Sequence, residues 1–296
     1  MSASSMTARV ALVLALSTVV AACSQTGTTP DGTAAAAAAN DPGTAFGHVH
    51  GLGVNPAEDT VYVATHHGLY SLDGAGERVG TSRADLMGFT VVGEDTFLAS
   101  GHPAPDEAGP SNLGLIRSTD AGQTWEEVSL GGQSDFHGLT ATGDRVYGLD
   151  SGTGTVMRSD DGGETWQQGA SLPARDLDVD PADPDRVVAT TAEGLVVSTD
   201  GGVTFAPAEL QPPRPLVVVD HLPADEGGPT PLVGLDTAGV LWRFPGAAWS
   251  SAGPENGEPH AFTAVDEDTY LAAFGTDIAR TDDGGSTWLV VSGSAR

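Results

Sequence analysis

The chain contains no lysine and only one cysteine. Its 296 residues carry 12 basic side chains, all arginine, against 40 acidic ones, so the formal net charge is −28. A surface of this charge repels nucleic acid and anionic lipid headgroups, and we expect neither as a partner. A lone cysteine also excludes an internal disulfide.

Long hydrophobic runs are missing as well. The apolar stretch 10–16 follows Arg9 and is too short for a resident membrane span, but it is typical of a secretory signal. Val20-Ala21-Ala22, directly before Cys23, resembles a bacterial lipobox. The resemblance implies removal of residues 1–22, lipidation of Cys23, and an exported lipoprotein held at the cell membrane outside the cytoplasm. The alternative is an ordinary secreted protein with a spare cysteine.

Residues 23–46 combine the cysteine with Ser, Thr, Gly, Pro and a run of alanines. This composition cannot bury a core, so we expect a flexible tether. Residues 47–296 then form one folded domain.

An eight-residue motif, S-x-D-x-G-x-T-W, recurs along this domain. Its copies begin at Ser118, Ser159, Ser198 and Thr281, at intervals of 41, 39 and 83 residues, the last close to two periods. A period of about 40 residues that is rich in short strands predicts a β-propeller. In each copy the Asp can accept backbone N–H bonds and the Gly permits a positive φ, which is typical of a turn between two strands.

Alternation and turn residues divide the domain into six units of four strands, A (innermost) to D. The fifth unit lacks the motif. We expect closure to depend on residues just before His48 packing beside the last unit. The predicted blades start near His48 and then span Asp85–Leu130, Asp135–Gly169, Pro173–Leu210, Pro212–Ala252 and Glu258–Val291.

The four copies resemble the Asp-box, or BNR, repeats of the sialidase superfamily and of sortilin-like propellers. The resemblance implies an all-β, six-bladed β-propeller with boxes on C–D hairpins, opposite the active site. It implies structural roles for Asp120, Asp161, Asp200 and Asp283, with a calcium site as the alternative. Such boxes occur in hydrolases and in non-enzymatic propellers alike, so they indicate fold rather than chemistry.

One position at the start of each A strand aligns across the six blades. The residues after His50, Gly-Leu-Gly-Val-Asn-Pro, match those after Arg175, and the other blades follow the same pattern. The position reads His50, Met87, His137, Arg175, Arg214 and His260. Two residues earlier, on the same strand face, the series is His48, Asp85, Asp135, Pro173, Pro212 and Glu258.

Strand-A starts and B–C loops share one end of a propeller's channel, so His66, His67 and His102 should join the ring. Only His221, of the eight histidines, is expected on the other face, in a long A–B connection. Imidazole, thioether and carboxylate together can bind copper or zinc. The candidate ligands are His48, His50, His66, His67, Met87, His102, His137 and His260. The alternative is a polar, water-filled channel with hydrogen-bonded His–Asp pairs.

Arg175 and Arg214 can clamp a small anionic ligand by paired hydrogen bonds, or simply offset local acidity. We expect Arg117, Arg158 and Arg280, which precede the boxes, to pack on blade surfaces.

The family resemblance also implies an exo-glycosidase, specifically a sialidase. That chemistry uses three arginines, a tyrosine nucleophile and an acidic partner. The ring offers two arginines, with Arg83 a distant third, and the tyrosines fall on B and C strands. A two-carboxylate hydrolase stays open, with Asp85, Asp135 and Glu258 as catalytic candidates and Asp106 or Glu107 reaching in from the blade-two loop.

The preferred hypothesis is a surface-anchored propeller that binds a transition-metal ion or a small anionic ligand at the channel mouth. His50, His137 and His260 are the first-choice ligands. The alternatives are a sialidase-like glycoside hydrolase acting on a glycan at the same face, and a protein-interaction propeller that assists assembly at the membrane.

Overall fold

The computed structural model describes residues 46–73, 76–222 and 230–292, which form 24 β-strands and no helix. Within these residues no helix is long and apolar enough to cross a membrane. The predicted signal peptide, the lipidation of Cys23 and the tether up to residue 45 lie outside the described residues.

The strands form six antiparallel sheets, each of four strands consecutive in chain order. The first three sheets are β1 (Val49–Asn55), β2 (Thr60–Thr65), β3 (Gly68–Ser71) and β4 (Glu77–Arg78); β5 (Asp85–Gly93), β6 (Thr96–His102), β7 (Leu115–Ser118) and β8 (Glu126–Ser129); and β9 (Phe136–Thr142), β10 (Arg145–Asp150), β11 (Thr155–Ser159) and β12 (Gln167–Ser171). The last three are β13 (Ala174–Val179), β14 (Val187–Thr191), β15 (Gly194–Ser198) and β16 (Ala206–Pro207); β17 (Leu216–His221), β18 (Leu232–Asp236), β19 (Leu241–Phe244) and β20 (Ser250–Ala252); and β21 (Pro259–Ala264), β22 (Tyr270–Phe274), β23 (Asp277–Thr281) and β24 (Leu289–Ser292). The predicted all-β, six-bladed propeller is confirmed.

The hydrophobic core lies between neighbouring blades. Tyr62 of blade one, for example, packs in one cluster with Phe89 and Phe97 of blade two. Phe46, just before β1, is 1% exposed and joins a cluster with Val63 of blade one and Leu271 of blade six. Phe46 therefore packs into the propeller and helps to close the ring.

The Asp boxes form tight C–D turns. Asp161 accepts hydrogen bonds from the Ser159 hydroxyl (2.7 Å), the Thr165 hydroxyl (2.6 Å) and the Thr165 backbone N–H (2.8 Å). The same pattern recurs at Asp120, Asp200 and Asp283. The Gly162 N–H donates to the carbonyl of Asp144 in the A–B turn. The boxes thus lie at the end of the blades opposite the strand-A starts.

Arginines on the C strands tie this end together. Arg117 donates to the carbonyl of Gly162 in the next blade's box at 2.7 Å. Arg158 and Arg280 pair with Asp160 and Asp282 in their own turns. These contacts agree with the expected packing on blade surfaces.

Each A strand carries a β-bulge near its start. The bulged residues are His50, Met87, His137, Arg175, Val217 and His260. The sequence alignment is therefore right for five blades and wrong by three residues for blade five, where Val217 takes the position given to Arg214. Pro215 likewise replaces Pro212 two residues earlier, in line with Pro173 of blade four.

Candidate metal centre at the channel mouth

The starts of the A strands surround one end of the central channel. The cavity there has a volume of about 150 Å³, and its lining includes His50, His137, Arg175, Asp176 and His260. The bulges place side chains at this rim because an unpaired strand residue is turned out of the regular pleat. The three histidines predicted as first-choice ligands, His50, His137 and His260, therefore all line this mouth.

Three histidines of blade one form the first group, here called the imidazole cluster: His48, His50 and His66. One ligand atom from each lies within 4.8 Å of the other two. His50 Nε2 is 3.2 Å from His66 Nδ1. The His48 ring is 4.7 Å from the His260 ring, centroid to centroid.

Asp85 of blade two borders the imidazole cluster. Its Oδ2 atom is 2.8 Å from His66 Nδ1, and its Oδ1 atom is 3.6 Å from His50 Nε2. Oδ1 is buried and has no hydrogen-bond partner. A cation between these groups could coordinate this oxygen.

Two of these imidazoles, His48 and His50, are uncharged near pH 7. Burial, together with the neighbouring His66, lowers the pKa of His50 to about 4. Burial and the nearby His260 lower the pKa of His48. Neutral imidazoles keep a free lone pair, which is the form that binds metals.

A second group, here called the carboxylate cluster, comprises His102, Asp135 and His137, whose ligand atoms also lie within 4.8 Å of one another. His137 Nε2 is 2.8 Å and His102 Nε2 3.4 Å from Asp135 Oδ2. The hydrogen bond to Asp135 raises the pKa of His137 despite its burial. Burial alone would raise the pKa of Asp135, but hydrogen bonds from His137 and Ser151 hold it below its usual value.

Arg175 and Arg214 are differently placed. Arg175 lines the mouth, where it lies 3.3 Å from Glu258 and donates to the Pro259 carbonyl at 3.1 Å. Arg214 precedes β17 and pairs with Asp236 and Glu255.

His67, Asp106 and Glu107 belong to neither cluster. His67 is exposed, and Met87 is half-buried at its bulge. In the blade-two loop Asp106 pairs with the Arg83 guanidinium at 2.6 Å, and Glu107 accepts the Arg83 backbone N–H. These two carboxylates therefore hold the blade-two loop against Arg83.

Three half-buried carboxylates that line the channel were not predicted: Asp176, Asp178 and Asp220. Each accepts a backbone N–H from the adjacent A strand, at Val219, His221 and Ala264 respectively. Burial raises the pKa of Asp176 to about 7, and burial with the nearby Asp178 raises that of Asp220 well above its usual value. The alternation of Asp176 and Asp178 along one strand face was the available signal.

The prediction for His221 is right about the face, since the residue lies at the end of its A strand away from the mouth, and wrong about the element. His221 is the last residue of β17, and its Nδ1 atom lies 2.7 Å from Asp178. The histidine is therefore a buried part of the channel wall, outside the A–B connection.

Comparisons with known proteins agree with this architecture. The BNR/Asp-box repeat model matches residues 157–168. A xyloglucanase from Hypocrea jecorina is 28% identical over 229 residues, which cover 73% of this chain and 25% of that protein. A sialidase from Micromonospora viridifaciens is 28% identical over 219 residues, which cover 71% of this chain and 29% of that protein.

The crystal structure of a GH74 enzyme from Niastella koreensis superposes with a TM-score of 0.60 at 16% identity, covering 84% of this chain and 45% of that one. At this identity the match supports the fold alone. The chain spans less than a third of the length of the xyloglucanase and the sialidase. The chain is a six-bladed β-propeller with a matched BNR/Asp-box repeat, and it is similar in sequence to a sialidase and to xyloglucanases.

Proposed function

We propose that the imidazole cluster binds one copper or zinc ion at the channel mouth. The observation that carries the proposal is the convergence of His48, His50 and His66 ligand atoms within 4.8 Å. Imidazole nitrogen suits both metals, and His260 or Asp85 can complete four-coordination.

The spacing within the cluster fits a metal. Two nitrogens bound to zinc at about 2.0 Å in a tetrahedral site lie roughly 3.3 Å apart. The distance from His50 Nε2 to His66 Nδ1 is 3.2 Å. A hydrogen bond between the two rings has a similar length, so the competing interpretation is a metal-free polar channel.

Metal titration distinguishes the two interpretations. The purified protein, first treated with a chelator, is titrated separately with Zn(II) and Cu(II), with calorimetry for stoichiometry and thermal melting for stability. At one hundred times the dissociation constant, binding stabilises the folded state by about 2.7 kcal/mol, or a melting-temperature rise of about 5–10 °C.

The double variant His50→Ala/His66→Ala should bind one equivalent of metal less than wild type, and metal should raise its melting temperature correspondingly less. His67→Ala is the matched control, because His67 is adjacent and exposed but outside the cluster. The proposal would be overturned if metal left the melting temperature of the wild type unchanged, or if it raised that of the double variant by the same amount.

The sequence similarity favours a second function, glycoside hydrolysis, over metal binding, because the matched relatives are xyloglucanases and a sialidase. Asp135, with its lowered pKa, would serve as base or nucleophile. Asp176, which lines the mouth cavity and has its pKa raised to about 7, would serve as the general acid. Asp85 is a further carboxylate at the mouth, while Glu258 is engaged by Arg175.

The arginines do not follow the sialidase arrangement. Among the described residues that line the mouth cavity, Arg175 is the one arginine. If the protein is a hydrolase, we therefore expect turnover of xyloglucan oligosaccharides or neutral aryl glycosides rather than aryl sialosides. Metal-free turnover that Asp135→Asn or Asp176→Asn abolishes would support hydrolysis, and no turnover on this panel would exclude it for these substrates.

A further inference from the structure

We propose that the carboxylate cluster of His102, Asp135 and His137 is a second metal site, separable from the imidazole cluster. The inference extends the proposed metal-binding function and rests on it for the choice of ions. The two ligand sets share no residue: one belongs to blade one, and the other joins the end of β6 to the start of β9.

The orientation of the His102 ring supports the second site. His102 Nδ1 lies 2.9 Å from the backbone carbonyl of Ser111. A carbonyl oxygen can only accept, so Nδ1 holds the proton, and in the neutral ring Nε2 is left with a lone pair. This is the arrangement in which a metal-binding histidine is oriented by a carbonyl on its far side.

The Nε2 atom of His102 faces the Asp135 carboxylate. His102 Nε2 is 3.4 Å from Asp135 Oδ2. A lone pair and a carboxylate oxygen repel at this distance unless a proton or a metal cation lies between them. A metal ion satisfies both groups and recruits His137, whose Nε2 lies 2.8 Å from the same oxygen.

Asp135 is built into the protein as a fixed ligand. Its side chain is 9% exposed, and the Ser151 hydroxyl donates to Oδ2 at 2.7 Å. Its Oδ1 atom is buried without a hydrogen-bond partner. An unpartnered buried carboxylate oxygen is costly, and a bound cation would remove that cost.

The donor set indicates which ions fit. Two imidazoles and one carboxylate suit Zn(II) and Fe(II), with positions left for water or a ligand. The all-imidazole set of blade one suits copper and zinc. Zinc therefore serves as the common probe for counting both sites.

The test is the number of zinc equivalents bound by the full protein, measured by calorimetry and elemental analysis after gel filtration. We expect two equivalents for wild type and for His67→Ala, and one for either His102→Ala/His137→Ala or His50→Ala/His66→Ala. Asp135→Asn keeps the side-chain size and should also bind one equivalent. Circular dichroism and melting of the metal-free variants establish that each is folded.

The outcomes separate the two proposals. One equivalent in wild type that survives His102→Ala/His137→Ala overturns the second site and leaves the proposed function standing. One equivalent that either pair of substitutions abolishes means a single shared site and overturns separability. No zinc bound by folded wild type overturns both.

Discussion

His50 Nε2 lies 3.2 Å from His66 Nδ1, although one residue starts the innermost strand of blade one and the other follows its second strand. The Asp85 carboxylate of blade two lies 2.8 Å from the same His66 atom. The site therefore depends on the packing of two blades. Metal binding here should stabilise the folded propeller, because the unfolded chain does not assemble these groups.

Asp176 should make stability depend on pH. Its folded pKa, about 7, lies above the ordinary value of 3.8, because burial disfavours the charge, Asp178 and Asp220 add repulsion nearby, and Arg175 opposes it weakly. The contribution of Asp176 to the free energy of unfolding is fully present below about pH 4 and is lost as the pH rises through 7.

Asp176→Asn should raise the free energy of unfolding at pH 8 by at most about 4 kcal/mol. Its carboxylate lines the channel cavity, so contact with water makes this an upper limit. The gain should vanish by pH 4. Urea unfolding with a chelator present checks this, and equal stability of the two proteins at pH 8 would contradict it.

Asp161 should have the opposite pH dependence. The hydroxyl and backbone N–H of Thr165, with the Ser159 hydroxyl, lower its pKa to about 2. Its contribution is present above about pH 4 and is lost as the pH falls towards 2. Asp161→Ala should lower the melting temperature by a few degrees at pH 7, with a smaller difference at pH 2.5. Glu164→Ala, in the same turn, is the control, and an equal effect of both substitutions would refute the structural role.

Phe46 should contribute to closure between blades one and six. Its side chain is 1% exposed, so Phe46→Ala should cost about 3–5 kcal/mol. Amide exchange should rise first in β1 and β21–β23. Phe97→Ala should create a comparable cavity between blades one and two. It should therefore raise amide exchange in β2 and β5 instead. The same exchange pattern in both variants would contradict a closing role.

We also propose that Cys23 anchors the exported protein. Cys23→Ala should move the protein from the membrane fraction to the medium, because the lipid is lost while the propeller is unchanged. Cell fractionation and immunoblotting check this. A substituted protein that stays in the membrane fraction would show that another segment holds it there.

The repeat predicted the fold because each Asp box fixes the position of one C–D turn, and the strands follow at regular intervals. Blade five has no box, so its alignment relied on Arg214-Pro-Leu, which resembles the strand-A starts of the other blades. This placed the strand start three residues too early. The structure instead pairs Leu216 with Asp236 and places the bulge at Val217.

The site was only partly predictable from the sequence. Histidines at the strand starts were visible once the blades were aligned. The division into two clusters was not, because it depends on inter-blade contacts such as His102 with Asp135. Asp176 was missed because its alternation with Asp178 is common in half-buried strands, and Asp220 because it follows an apolar run with no alternation.

The most direct test is the metal content of the protein purified without added chelator, compared with that of His50→Ala/His66→Ala. We expect copper or zinc in wild type and in His67→Ala, and one equivalent less in the double variant. Wild-type protein that is free of both metals and takes up neither on titration would contradict it.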